Sequence, residues 1–338
     1  MRPRPALPFL ILLPLLALSM AGALTLGRYP LAPGELGHYL LAVLHLAPMD
    51  PERYGLLTNL IVNIRLPRIL AAVLVGASLA SSGAAFQAVF RNPLVSPGLL
   101  GVLAGAAFGA ALGIVFSGQW WVAQVLSFLC GLLAVGVGLG VAHLFGRASL
   151  VMLVLGGVIS SALFSSLLSL VKYLADPYNQ LPTIVYWLMG SLAMADLRQV
   201  AWLAPPMVLA MGLLLLCGRA LDALSMGDDE ALALGVPVTA IRATVIFAAT
   251  LISALTVSLA GIIGWVGLII PHIARLMVGP GNARLLPVST VLGAIFLLAA
   301  DALSRSLNTT EIPIGIVTEL LGIPCFLLVL HRVRRGWA

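Results

Sequence analysis

Ten long apolar runs, separated by short polar joints, make up most of the chain. They lie near residues 7–26, 66–89, 98–116, 121–144, 150–174, 199–217, 241–259, 261–278, 286–304 and 312–331. A bilayer core is crossed by about 20 helical residues. A barrel strand would instead alternate apolar and polar positions over about ten. The continuous runs therefore predict an all-α, polytopic membrane protein of about ten transmembrane helices, with residues 1–338 as a single domain. The two runs between Ile241 and Val278 share too short a stretch for two full perpendicular spans. One of them is expected to be short or broken near Gly261 and Gly264.

The N-terminus has the outline of a signal peptide: Arg2 and Arg4, an apolar run, then Ala21-Gly22-Ala23. A retained first span is the preferred reading, because a chain with many spans needs no cleaved signal. An even number of spans then returns both termini to the cytoplasmic side.

Composition agrees with a membrane protein. Hydrophobic residues are 61% and charged residues 9% of the sequence, and mean hydropathy is +1.11. A soluble domain carries about 25% charge. The formal net charge of +6 comes almost wholly from arginine, Lys172 being the one lysine. No basic run has the interleaved aromatics of a single-strand binder, so nucleic acid is not an expected partner. Sorted by side, Arg2, Arg4, Arg91, Arg147, Arg219, Arg242, Arg275, Arg284, Arg332, Arg334 and Arg335 fall inside. Arg28, Arg53, Arg65, Arg68, Lys172, Arg198 and Arg305 fall outside. The bias has the sign of the positive-inside rule but is weak, and the outside arginines need a reason. Arg65 and Arg68 share one helix side. Pro67 between them suits a first helical turn, which places both at the outer start of the second span.

Gly101, Gly105, Gly109 and Gly113 recur every four residues and predict one face on which helix backbones pack closely. The segment from Arg219 to Arg242 is the one hydrophilic break on the inner side. Helix formers from Asp228 to Leu234 follow Gly227 and stop at Gly235 and Pro237, which predicts a helix outside the membrane. Leu224, Met226, Ala231 and Leu234 offer it an apolar docking face.

Some chemistry is absent. Lys172 does not sit in a GxxxxGK[ST] loop, so ATP hydrolysis by that route is excluded. Cys130, Cys217 and Cys325 and the five histidines are scattered, without metal-ligand spacing. Glu319 is the one carboxylate well inside a span, which is thin support for an ion-driven carrier. An intramembrane enzyme would need paired catalytic groups at bilayer depth, and none are seen. The energy for transport is expected from a partner.

Four segments together resemble the FecCD-type permeases: IRLPRIL with VGASLASSGAAFQAVFRNPLVSPGLLG (Ile64–Gly101), SMGDDEALALGVP (Ser225–Pro237), AGIIGWVGLIIPHIARLMVG (Ala260–Gly279) and ADALSRSLNTTEIPIGIVTELLGIPCFLLVL (Ala300–Leu330). Two departures, Val95-Ser96 after Asn92-Pro93-Leu94 and Gly227-Asp228 where Gly-Glu is usual, lie near the expected cytoplasmic face. The resemblance implies the type II ABC importer architecture in the cytoplasmic membrane: a homodimer around a central path, two ATP-binding cassette subunits inside, and an extracytoplasmic substrate-binding protein. The cargo it implies is a metal chelate, a ferric siderophore by frequency, with vitamin B12 or haem as alternatives. ATP and Mg²⁺ would belong to the ATPase, and this chain would bind no cofactor or metal. Leu221–Pro237 would be the helix that meets the ATPase, with Leu224, Met226, Gly227, Asp228, Glu230, Ala231, Leu234 and Gly235 as its working residues. Arg65, Arg68 and Arg305 would receive acidic residues of the binding protein; the alternative for them is contact with lipid headgroups or a local pair with Asp301 or Glu311.

Overall fold

The computed structural model describes residues 7–27, 29–144, 150–307 and 310–335, with side chains from 8 to 328. Arg2, Arg4, Arg28 and Arg147 lie outside the described residues, as do the side chains of Arg332, Arg334 and Arg335. Among the described residues every regular element is helical. In chain order these are α1 (Leu7–Thr25), α2 (Pro33–Val43), α3 (Pro51–Thr58), a π-helical stretch (Asn59–Arg65), α4 (Leu66–Val89), a 3-10 turn (Pro97–Leu100), α5 (Val102–Ser117), α6 (Trp120–Leu144), α7 (Leu150–Leu174), α8 (Gln180–Leu188), α9 (Leu197–Leu216), α10 (Gly218–Met226), α11 (Asp228–Ala233), α12 (Val238–Ala260), α13 (Val266–Val278), α14 (Asn282–Ser306) and α15 (Ile314–Arg335).

Each of the ten apolar runs is a helix. Seven are long and apolar enough to cross a bilayer, and Val102–Ser117, Val266–Val278 and Ile314–Leu328 are shorter. The short member of the crowded pair is α13, which the non-helical residues 261–265 separate from α12. Helices α4 and α12 are buried along most of their length and form the centre. Their alanine- and serine-rich faces let α9, α13 and α14 approach closely. Helix α1 packs along α14, where Leu12 meets Leu285 and Val288.

Glycines set the closest approaches. A Cβ at Gly105, Gly109 or Gly113 would collide with Cys130 O, Leu126 O or Ala123 Cα, so three members of the predicted stripe form the α5–α6 seam. Gly101 is not part of that seam. It precedes α5 at φ +89° and faces Ser160 on α7. Three more contacts, Gly76 with Gly293, Gly83 with Gly267 and Gly138 with Gly156, pair glycines that are remote in sequence. No single-run spacing could reveal those.

The second span departs from expectation. Pro67 does not open a helix, because helical structure continues back to Pro51. Proline has no N–H to donate. A π-helical stretch just before it, in which Leu66 N bonds Ile61 O, carries the chain through. Arg65 and Arg68 are therefore interior to a long helix, and no helix-start dipole opposes them.

Candidate functional site

Functional side chains gather at opposite ends of the bundle. At one end, α10 and α11 stand where a single helix over Leu221–Pro237 was expected. Gly227 breaks them apart at φ +154°, ψ +160°, a region that L side chains avoid. Glu230 folds its carboxylate back over Gly227, where a Cβ would stand. Asp228 opens α11 and bonds Arg242 of α12 at 2.9 and 3.0 Å. It also pairs with Arg91, just past α4. The Arg91 guanidinium donates in addition to Leu224 O at 2.7 Å. Burial raises the Asp228 pKa, but the hydrogen bond and field of Arg242 and the field of Arg91 outweigh it, and the net value lies below the usual carboxylate range. Asp222 on α10 accepts from the N–H groups of Asn282 and Ala283, which caps α14. The two short helices are thus tied to α4, α12 and α14.

Burial divides the apolar residues proposed for docking here. Leu224 and Ala231 are buried, Ala231 at 0% exposure, and belong to the main core. They anchor the segment and offer no surface to a partner. Met226 and Leu234 are exposed, and so is Leu232, which the sequence reading missed. On so short a helix Leu232 follows Ala231 round to the outer side, and the kink at Gly227 decides which side is outer. Glu230 and Gly235 are also exposed.

At the other end the three arginines do come together, but not as free surface cations. Arg65, Arg68 and Arg305 are only 4%, 8% and 8% exposed. Arg68 bonds Asp301 at 2.7 Å and Glu311 at 2.8 Å, and Arg305 lies 3.0 Å from the other Asp301 oxygen. Arg65 donates to Leu24 O and Tyr29 O, and Arg305 to Leu26 O at 3.0 Å. Arg65, at the end of the π-helical stretch, thereby closes the Leu24 carbonyl in the last turn of α1, and Arg65 and Arg305 satisfy two carbonyls of the chain just beyond it. The first role visible in these residues is internal. The cluster still holds three cations against two carboxylates, and Arg305 Nη2 has no hydrogen-bond partner.

Among the described residues no three of His, Cys, Asp or Glu come together as a metal site. Cys130, Cys217 and Cys325 are unpaired thiols.

The profile of the FecCD transport family matches residues 14–332. The molybdate import system permease protein MolB of Haemophilus influenzae is 40% identical over 95% of this chain and 94% of its own length. A probable iron chelatin transport system permease protein of Helicobacter pylori is 38% identical over 84% of this chain and 86% of its own. A solved metal-chelate type ABC transporter in an inward-facing conformation superposes with a TM-score of 0.85 at 39% identity. That superposition covers 97% of this chain and all of the other. With its apolar helical bundle and its polar ends, the chain belongs to the FecCD transport family, as a multi-pass membrane permease of the metal-chelate ABC importer type.

Proposed function

We propose that the chain works as a homodimer that imports a ferric siderophore across the cytoplasmic membrane, driven by two ATP-binding cassette subunits. The α10–α11 end is the cytoplasmic one, with both termini on that side. The observation that carries this reading is the α10–α11 unit itself. It presents Met226, Leu232 and Leu234 outward while Asp228 and Asp222 tie it to α4, α12 and α14. A partner that grips those side chains pulls on the central helices directly.

The binding protein, on this reading, docks at the arginine end. Residues beside Leu26 cover Arg305, whose atoms lie close to Gly27. An incoming carboxylate reaches Arg305 once that cover shifts, and the surplus positive charge steers its approach. The iron-chelate relative supports the ferric cargo. One observation favours a second cargo: the molybdate relative aligns over 95% of this chain. Vitamin B12 stands behind both.

The test is purification of the chain with co-expressed ATPase and binding-protein subunits, followed by ATP-dependent uptake of labelled ferric siderophore, molybdate and cyanocobalamin into proteoliposomes. Co-purification with siderophore uptake is the expected result. Uptake of molybdate alone would move the assignment to the oxyanion, and failure to hold an ATPase would remove the importer mechanism.

A further inference from the structure

Among the described residues, Glu319 is the one carboxylate placed well inside an apolar helix without a partner. It lies five residues into α15, about 7.5 Å along the axis from Ile314 at 1.5 Å per residue. Its side chain is exposed, and it forms no ion pair or side-chain hydrogen bond with any described residue. The exposed positions Ile316, Glu319, Leu320, Ile323 and Leu327 follow helical spacing, so they share one uncovered face. On a lipid-facing helix an uncompensated carboxylate is costly. Water or protein must therefore meet this face.

The backbone beside it says which. Residues 261–265 are not helical, and they lie within the bundle. Gly267, just beyond them, packs against Gly83 inside α4. Ser191 N bonds Ala260 O, while Ile314 N and Gly315 N bond Gly190 O and Met189 O. Three interrupted segments thus share one level. Irregular backbone at bilayer depth persists only when buried in protein or lining a water-filled cavity. Gly264 is half-buried and stands next to the Glu319 carboxylate. Trp265 follows at φ +67°, an uncommon conformation for a bulky residue. Its ring packs on Phe326, two turns along α15 from Glu319.

We infer that Glu319, with the Gly264–Trp265 backbone, lines the aqueous translocation path and gives it one carboxylate per subunit. This deepens the homodimer reading and rests on it. A homodimer brings two such carboxylates to the path. They favour an uncharged or cationic chelate, such as a hydroxamate-type ferric complex or a corrinoid, and oppose a bare oxyanion such as molybdate. Charge thereby separates the two cargo readings.

The test uses the assembled complex in which Cys130, Cys217 and Cys325 are replaced by alanine. Ile323→Cys places a thiol one turn from Glu319 on the same face, and Leu320→Cys gives a second reporter should the first lower expression. Leu209→Cys, exposed on α9, is the lipid-facing control. The thiol at 323 is expected to react with membrane-impermeant thiosulfonates, and faster with a cationic than an anionic reagent of equal size. Glu319→Gln should cut that ratio about tenfold, roughly threefold for each reagent in opposite senses, as for one unit charge about 6 Å away in water. In proteoliposomes, Glu319→Gln should raise molybdate uptake relative to that of a neutral ferric hydroxamate. A thiol as unreactive as the Leu209→Cys control, or a reagent ratio unmoved by Glu319→Gln, overturns the inference. A complex that fails to retain its ATPase indicts the importer reading instead, since these substitutions lie far from α10 and α11.

Discussion

The two polar ends of this bundle solve opposite problems with the same residue types. At the arginine end, Arg68 and Arg305 are buried with Asp301 and Glu311, and Arg65 closes an open carbonyl of α1. At the α11 end, Arg91 and Arg242 hold Asp228, whose side chain is 44% exposed. A buried ion cluster resists removal of any member, because the remaining charges lose their compensation. A half-exposed clasp is cheap to open, since water solvates whatever it releases. The first suits a fixed joint and the second suits a moving one. Arginine content alone does not distinguish them. The burial of the acid does.

Breaking the fixed joint should have the largest effect. Asp301→Ala leaves Arg68 and Arg305 buried without their shared counter-charge, at a cost of about 3–5 kcal/mol. The expected outcome is loss of folded, detergent-stable protein, read as yield and melting temperature. A variant with wild-type melting would show that the two ends do not differ in this way.

Next in size is the kink. Gly227→Ala forces a Cβ into a conformation that costs of order 1–3 kcal/mol, beside the Glu230 carboxylate. Melting should fall by an amount in that range. ATPase coupling should fall further, because α11 would be re-aimed. Equal loss in Gly227→Ala and Gly235→Ala would argue that the kink has no special place.

Leu232→Glu should barely change stability, within about 0.5 kcal/mol, as for exposed sites generally. It should nevertheless weaken association with the ATPase subunit in pull-down at low salt. Retained association would remove Leu232 from the contact surface and leave Met226 and Leu234 as the candidates.

The smallest effect is that of pH on the clasp. The Asp228 pKa is depressed in the folded protein. Its contribution is thus fully present above the unfolded value, about 3.9, and is lost as pH falls through the lower folded value. The melting difference between wild type and Asp228→Asn should be constant from pH 8 to 5 and shrink below pH 4. It should also shrink with salt, since exposed pairs are screened.

Much of the site was legible because it is local. The helix from Asp228 to Ala233, its stop at Gly235, the short α13 and the close packing at Gly105, Gly109 and Gly113 follow from residue types at near spacing. What was not legible depends on partners far along the chain. Pro67 looked like a helix start, because a π-helical stretch leading back to Pro51 leaves no mark in an apolar pattern. Leu224 and Ala231 looked like docking residues, because a short amphipathic run does not say which side the bundle will take. The arginines were read as facing a partner ahead of a local pair with Asp301 or Glu311, because sequence spacing cannot weigh a pair whose members lie more than two hundred residues apart, as Arg68 does from both acids.

Hydropathy alone determined that this chain lives in a membrane as a helical bundle, since apolar length has one cheap environment and backbone polar groups there must bond within their own helix. Tertiary structure alone decided which charges are joints, which are clasps and which, like Glu319, stand open. Those outcomes depend on burial and on the distance to an opposite charge, and neither quantity exists until the helices have met.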